Sequence, residues 1–318
     1  MRKFVYYGFT LLSLLLLFQN CGEDEEESEI SFKRYDAAVK LDIPLSGSLQ
    51  NPAFSPDGDM IVFTLFRNGY NIEPADIYTY NLESKELHLL VKDGSANVNL
   101  PGACWNVNNE SIIFSSSRDP HDEIYRIDDS GNPGDEIQIT SRANYMAYEP
   151  SFSPDGAWVV FESHIVDTED RGVIFKFKLD NSAQYQALTG SNEDCRQPNW
   201  SPAGNYILFQ KLTNNQWDIW VMKTDGSGQR MVTSGGGDKT DACFTNDGQY
   251  IIFSSDADLE YANIYKISVN GGSPVRLTNF NGYDGAPSIS ADNKKLIFES
   301  YNGDPDDSEG TALWLLSL

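Results

Sequence analysis

A chain of 318 residues with 40% hydrophobic and 12% aromatic side chains can bury a large core, which excludes a disordered or collagen-like chain and allows one or two domains. Only 23 Lys and Arg stand against 47 Asp and Glu, a formal charge of -24. A surface that acidic repels phosphate backbones and anionic headgroups, so nucleic acid is not an expected partner.

The first twenty residues have the parts of an export signal. Arg2 and Lys3 give a positive start, and Phe9 to Phe18 is apolar apart from Thr10 and Ser13. The run from Phe4 to Phe18 is shorter than the ~20 residues of a spanning helix, so residues 1–20 are expected to be a cleaved signal peptide. Leu17-Phe18-Gln19-Asn20-Cys21 resembles the lipobox of bacterial lipoproteins, with Asn20 where a smaller residue is usual. That resemblance implies acyl chains on Cys21, several of which hold a soluble domain stably where one would not. The lipid is then the only expected contact with a membrane.

From Gly22 to Glu29 there are six acids in eight residues, too charged to fold and suited to a solvated tether over residues 21–35. This stretch is also similar to the acidic surface-export segment of some outer-membrane lipoproteins. An outer-membrane lipoprotein, on the periplasmic side or at the cell surface, is the location it implies. The other cysteines, Cys104, Cys195 and Cys243, are odd in number, so disulfides are not the framework.

The rest of the chain is repetitive. Asn51-Pro52-Ala53-Phe54-Ser55-Pro56-Asp57-Gly58 recurs as Glu149-Pro150-Ser151-Phe152-Ser153-Pro154-Asp155-Gly156 and as Gln197-Pro198-Asn199-Trp200-Ser201-Pro202-Ala203-Gly204, with weaker copies around Trp105, Phe244 and Ile289. The anchors at 54, 105, 152, 200, 244 and 289 have the period of a propeller blade, about 40 to 50 residues in four strands. Each copy continues with a strand such as Met60 to Phe63, then an Asp-Ile-Tyr strand such as Asp76 to Tyr78, then a short strand such as Val275 to Thr278. In the Ser-Pro-Asp-Gly segments Pro presets φ and Gly tolerates positive φ, so turn chemistry accounts for Asp57 and Asp155 without catalysis.

The last copy stops after its third strand at Leu316, and Val39-Lys40-Leu41-Asp42 stands where the fourth is needed. The spacing therefore predicts an all-β, six-bladed β-propeller over residues 36–318, closed by an N-terminal strand that completes the last blade. These residues resemble the TolB-type, WD40-like propeller repeats, whose unit runs Pro-x-Trp/Phe-Ser-Pro-Asp-Gly, strand, Asp-Ile-Tyr, strand, Leu-Thr. TolB proper carries an additional α/β domain ahead of its propeller, and here a tether and one strand precede the first repeat. The resemblance implies the fold more than the function, since propellers host binding modules and enzymes alike.

In such a blade, one face of the ring carries the loops between second and third strands together with the blade-to-blade loops. The sequence loads that face with acid: Asp119, Asp122 and Glu123; Asp167, Glu169 and Asp170; Asp256, Asp258 and Glu260; Asp304, Asp306, Asp307 and Glu309; and Glu149, Glu193, Asp194, Asp241 and Asp284. Asp256 to Glu260 or Asp304 to Asp307 could supply part of a Ca2+ shell, but neither matches the twelve-residue calcium loop. No metal or other cofactor is expected. His88, His121 and His164 occupy unlike repeat positions, which argues against a zinc triad. No Gly-x-Ser-x-Gly occurs, and no catalytic residue is assigned.

The reading that follows is a lipid-anchored, monomeric, extracytoplasmic binding or scaffold propeller that holds a protein or polysaccharide partner of the cell envelope at its acidic channel mouth. Tyr148, Glu149, Arg196, Gln197, Asp241 and Asp284 precede the first strands and are the expected binding residues. The alternative is a carbohydrate-active enzyme, a glycoside hydrolase or polysaccharide lyase, using carboxylates at the same mouth.

Overall fold

The computed structural model describes residues 32–92, 94, 98–99, 104–106, 110–119, 121–166, 168, 171–301 and 310–318. The expected signal peptide, Cys21 and most of the tether lie outside the described residues, as do Asp167, Glu169, Asp170, Asp304, Asp306, Asp307 and Glu309.

The regular structure is all β: six sheets of four antiparallel strands. Blade 1 comprises Ser48–Phe54, Met60–Phe66, Ala75–Asn81 and Leu87–Lys92. Blade 2 has Val98–Asn99, Ser111–Ser116, Glu123–Asp128 and Ile137–Gln138. Blade 3 has Tyr145–Phe152, Trp158–Ile165, Val173–Lys178 and Asn181–Ala187. Blade 4 has Cys195–Trp200, Tyr206–Thr213, Gln216–Lys223 and Arg230–Met231. Blade 5 has Lys239–Phe244, Tyr250–Ser255, Asn263–Ser268 and Val275–Arg276. Blade 6 has Asp284–Ile289, Lys295–Tyr301 and Thr311–Ser317, with Val39–Lys40 as its fourth strand. First strands touch one another from blade 3 through blade 6 and again between blade 6 and blade 1, so they are innermost, and the described residues form a six-bladed propeller.

Each second strand ends its apolar run in a phenylalanine: Phe63, Phe114, Phe161, Phe209, Phe253 and Phe298, none more than 2% exposed. In four blades this ring stacks on the third-strand aromatic directly opposite, with centroids 5.8–6.0 Å apart for Phe63–Tyr78, Phe114–Tyr125, Phe161–Phe175 and Phe253–Tyr265. The tyrosine of Asp-Ile-Tyr is thus a cross-strand partner. The six anchors are buried between blades, and some carry a hydrogen bond there. Phe54 N donates to Ser288 Oγ at 3.1 Å and Trp200 N to Ser151 Oγ at 3.3 Å, each across a blade boundary.

The turn carboxylates are structural. Ser55 Oγ donates to Asp57 Oδ1 at 2.6 Å, Thr245 Oγ1 to Asp247 at 2.6 Å and Ser290 Oγ to Asp292 at 2.7 Å, while Gly58 and Gly156 take φ of 83° and 68°. The Leu-Thr dipeptide lies just past the short fourth strands rather than inside them, because its threonine has another task. Thr140, Thr189, Thr233 and Thr278 Oγ1 accept the N–H of Ile124, Ile174, Ile219 and Ile264 at 2.8–2.9 Å. Thr140 and Thr233 donate onward to Glu123 and Asp218 at 2.5 and 2.9 Å. Glu123, expected among the acids of the loop face, is therefore a buried clip between third and fourth strands.

The start of the body is pinned to blade 6. Val39 pairs Leu315 and Lys40 pairs Trp314, and Leu41 N extends the contact to Leu313 O at 2.9 Å. Ahead of it, Arg34 lies within 4.4 and 4.5 Å of the Phe280 and Trp314 ring centroids. It bonds Asp284 at 2.6 Å and Ser300 Oγ at 2.7 Å. The boundary with blade 1 is sewn by Thr311 Oγ1 donating to Leu49 O at 2.9 Å and by Thr311 N donating to Ser48 Oγ at 3.1 Å.

Two outcomes test this packing. Phe152→Ala empties a site in the core shared with Trp105 and Phe114 and should cost about 3–5 kcal/mol in denaturant unfolding. Arg34→Ala leaves Asp284 buried without its cation, and unfolding free energy should fall by about 3–5 kcal/mol, with partial recovery in Arg34→Ala/Asp284→Asn.

Candidate functional site at the channel

Five innermost strands carry a bulge at the same place, where pairing with the second strand skips from Gln50 to Ala53, Tyr148 to Ser151, Arg196 to Asn199, Thr240 to Cys243 and Gly285 to Ser288. Within each bulge one non-glycine residue is left-handed: Asn51, Glu149, Gln197, Asp241 and Ala286, with φ of 45–52°. Such backbone costs of order 1 kcal/mol per residue and persists only where the surroundings enforce it. Here the bulge frees a peptide N–H from its own sheet and aims it at a neighbouring blade.

The acceptors are side chains. Asn51 N donates to Glu299 Oε2 and Gln197 N to Glu162 Oε2, both at 2.8 Å. Asp241 N donates to Gln197 Oε1 at 3.1 Å, and Gln197 Nε2 returns a bond to Asp241 Oδ1 at 3.1 Å. The Ala286 N–H in turn bonds Asp241. A hydrogen-bonded line therefore runs along the innermost layer from Glu162 in blade 3 through Gln197 and Asp241 to blade 6. At the blade 6–blade 1 boundary, Tyr283 Oη donates to Glu299 Oε1 at 2.9 Å, and Tyr70, from the loop between second and third strands of blade 1, donates to the same oxygen at 3.2 Å.

Electrostatics follow from the enclosure. Burial pushes the Glu299 carboxyl up to about 7, the Asn51 N–H opposes this, and the Asp241 charge adds to it. Burial raises Asp241 as well, against the bonds from Gln197 and Thr240. Tyr70 and Tyr283 are held well above the usual phenol range by burial and by the Glu299 charge. Near neutral pH these phenols are donors, and Glu299 exchanges its proton in the same range.

Of the expected binding residues, the structure brings Gln197 and Asp241 together. Glu149 sits in the bulge of blade 3 and is buried. Tyr148 Oη donates to Asp122 Oδ2 at 2.8 Å, beside His164. Arg196 pairs with Asp194 at 2.9 Å and lies over Trp217, so its cation is engaged within its own blade. Asp284 departs from expectation: it is fully buried and ion-paired to Arg34, because its side chain faces the incoming N-terminal segment rather than the mouth.

Sequence reasoning missed Glu299, Glu162, Tyr70 and Tyr283. The residue after each second-strand phenylalanine is Thr64, Ser115, Glu162, Gln210, Ser254 or Glu299, all buried. Two acids in a row of otherwise neutral residues was the available signal.

Other acids of the loop face have local work. Glu193 pairs with Lys211, Asp119 and Asp258 accept from Tyr125 and Tyr265, and Asp256 accepts from Asp238 N. His88 bonds Gly131 O on the outer strand of blade 1, and His164 bonds Glu162. Among the described residues no three of His, Cys, Asp and Glu are grouped to hold a metal ion. Cys104, Cys195 and Cys243 are buried free thiols, with burial pushing Cys195 and Cys243 up to about 12.

Fold and innermost layer together define a six-bladed propeller whose recurring feature, in five of its blades, is the inter-blade bulge. The TolB beta propeller domain profile matches residues 25–215 and 173–308, and the chain belongs to that family. It is 27% identical over 181 residues to the uncharacterized protein Atu1656 of Agrobacterium fabrum, which covers 57% of this chain and 60% of that protein. It is 29% identical over 163 residues to the Tol-Pal system protein TolB of Francisella tularensis, which covers 51% of this chain and 35% of that protein. The matched part is thus less than two thirds of either relative.

Among solved structures, TolB from Acinetobacter baumannii superposes with a TM-score of 0.63 at 17% identity, over 83% of this chain and 65% of that one. An oligogalacturonate lyase in complex with manganese does so with a TM-score of 0.58 at 15% identity, over 91% and 96%. Identities this low show a shared fold alone.

One measurement checks the buried acid. Glu299 binds its proton more tightly folded than unfolded, so between about pH 4.5 and 7 the native state holds more protons and stability falls as pH rises. At about 1.4 kcal/mol per pH unit the loss is on the order of 3 kcal/mol. Glu299→Gln should remove that part of the fall, so the variant gains on the parent at pH 8 relative to pH 4 in parallel urea unfolding.

Proposed function

We propose that this protein is an extracytoplasmic binding propeller that captures a protein or polymer partner at the channel mouth, anchored through a lipid on Cys21 in the outer membrane. The observation that carries the reading is the inter-blade line of Glu162, Gln197 and Asp241 together with the Glu299–Asn51 bond across the blade 6–blade 1 boundary. Five strained bulges hold it in one geometry, which is preorganisation for recognition. A mouth rich in acceptors favours a partner segment that brings N–H and O–H donors or cationic side chains. The export-signal features of residues 1–21 support an envelope location, as does the Tol-Pal system named for one relative.

The second reading, a carbohydrate-active enzyme, has one observation in its favour. Glu299, with its proton exchanging at about 7 and raised in part by the charge of Asp241, has the character of a general acid within the field of a second carboxylate. The lyase neighbour's oligogalacturonate is a polyanion, and an acidic mouth repels it, so a neutral or cationic glycan is the better substrate class.

Affinity capture from cell-envelope extract, read by mass spectrometry, separates these. The purified chain should retain a specific partner that the Glu149→Gln/Asp241→Asn variant loses while it still unfolds in one cooperative transition; equal recovery by both rejects this face. Release of reducing sugar from a neutral glycan panel, abolished by Glu299→Gln, would favour the enzyme.

A further inference from the structure

Glu299 is held by two kinds of contact. Its framework bonds are short: Asn51 N at 2.8 Å and Tyr283 Oη at 2.9 Å. Tyr70 is looser, with its hydroxyl 3.2 Å from Glu299 Oε1 and 3.4 Å from Tyr283 Oη. Both carboxylate oxygens thus have a donor without Tyr70, and its bonds are at the weak end of the useful range.

The Tyr70 ring belongs to no strand. It stands edge-on to Tyr283, centroids 6.1 Å apart, on a loop whose base is closed by Arg67 N donating to Pro74 O at 3.1 Å and by Arg67 pairing with Asp76. The loop's other residues turn outward: Asn68, Asn71 and Glu73 are exposed, and Ile72 is 48% exposed. Gly69 and Asn71, on either side of Tyr70, have φ of 115° and 55°, the backbone that tips this one side chain inward. Blade 1 thereby lends a ring to a recess built by blade 6 and by Asn51, and the recess keeps its own hydrogen bonds when the ring leaves.

We infer that Tyr70 is a removable internal occupant of a ligand pocket at the blade 6–blade 1 boundary, and that the external ligand is an aromatic ring bearing one hydrogen-bond donor, as on a partner's tyrosine side chain. The assignment to a partner rests on the binding function proposed above; the pocket itself does not. The external ring takes the edge-on place against Tyr283 and donates to Glu299 Oε1, and the loop swings out on its base. Because Tyr70 competes, apparent affinity in the parent is reduced by the fraction of time the loop is closed.

The probe is p-cresol, titrated calorimetrically into the full chain. Tyr70→Ala should bind it at least about tenfold more tightly than the parent, and should prefer it to toluene by at least about tenfold because toluene leaves the Glu299 acceptor unmet. Equal affinities for parent and variant, or no preference over toluene, overturn the inference. Tyr70→Phe covers the case in which Tyr70→Ala fails to fold. It should melt within about 1 °C of the parent while Tyr283→Phe melts several degrees lower; equal losses make Tyr70 structural and overturn it. Failure here, with partner capture still lost in Glu149→Gln/Asp241→Asn, rejects the pocket alone, whereas p-cresol binding with unaltered capture rejects the mouth as the partner's face and leaves the pocket.

Discussion

An innermost strand in this ring has to serve two sheets. It pairs with its own second strand, yet blades that met only through apolar faces would leave polar backbone facing the channel without a partner on the next blade. The bulge resolves this by taking one residue out of the ladder and turning its N–H across the boundary. Asn51, Gln197 and Asp241 each do so toward a side-chain oxygen. The left-handed backbone is a local cost that the neighbour's acceptor offsets, and it ties blade order to hydrogen bonding rather than to hydrophobic contact alone. A change at Glu162 or Glu299 therefore acts first on the adjoining blade.

Blade 6 concentrates this logic. It receives the N-terminal strand at its outer edge through Val39 and Lys40, the Arg34–Asp284 pair on the face it turns to blade 5, and the Glu299–Asn51 bond on the face it turns to blade 1. Charge is buried at two of these three places, and the pairing differs. Arg34 is enclosed with a full counter-charge, whereas Glu299 is enclosed with donors that carry no charge and within the field of Asp241, which repels it. The first arrangement is a fastener, since breaking it strands an ion. The second is a group whose proton is exchangeable near neutrality, and that is where chemistry or recognition has something to act on.

Much of the fold was legible because the repeat encodes turn and strand physics directly. Ser-Pro-Asp-Gly specifies a hairpin by φ preference and local hydrogen bonding, and the missing strand after Leu316 pointed back to Val39. The site was less legible for a particular reason. The binding residues expected ahead of the first strands lie within them, and place in a strand does not say which way a side chain turns. Asp284 occupies such a place and turns toward Arg34. Tyr70 lies in a loop with no repeat equivalent, and Glu299 follows an apolar run that reads as ordinary core. Their roles come from contacts between the two ends of the domain, which sequence spacing does not order.

The acidity of the chain reads differently with the structure in hand. Many of the loop-face carboxylates that suggested one broad anionic surface are committed locally: Glu123 to Thr140, Glu193 to Lys211, Asp194 to Arg196, Asp258 to Tyr265. A committed carboxylate still contributes its charge at long range, steering a cationic segment toward the face. It contributes little at contact, because its lone pairs are occupied. Contact specificity then falls to the few oxygens with one exchangeable donor, and Glu299 Oε1, with Tyr70 at 3.2 Å beside the firmer Tyr283 bond, is such an oxygen. Long-range attraction and short-range discrimination thus reside in different residues, and a partner that loses the first would associate slowly while one that loses the second would leave quickly.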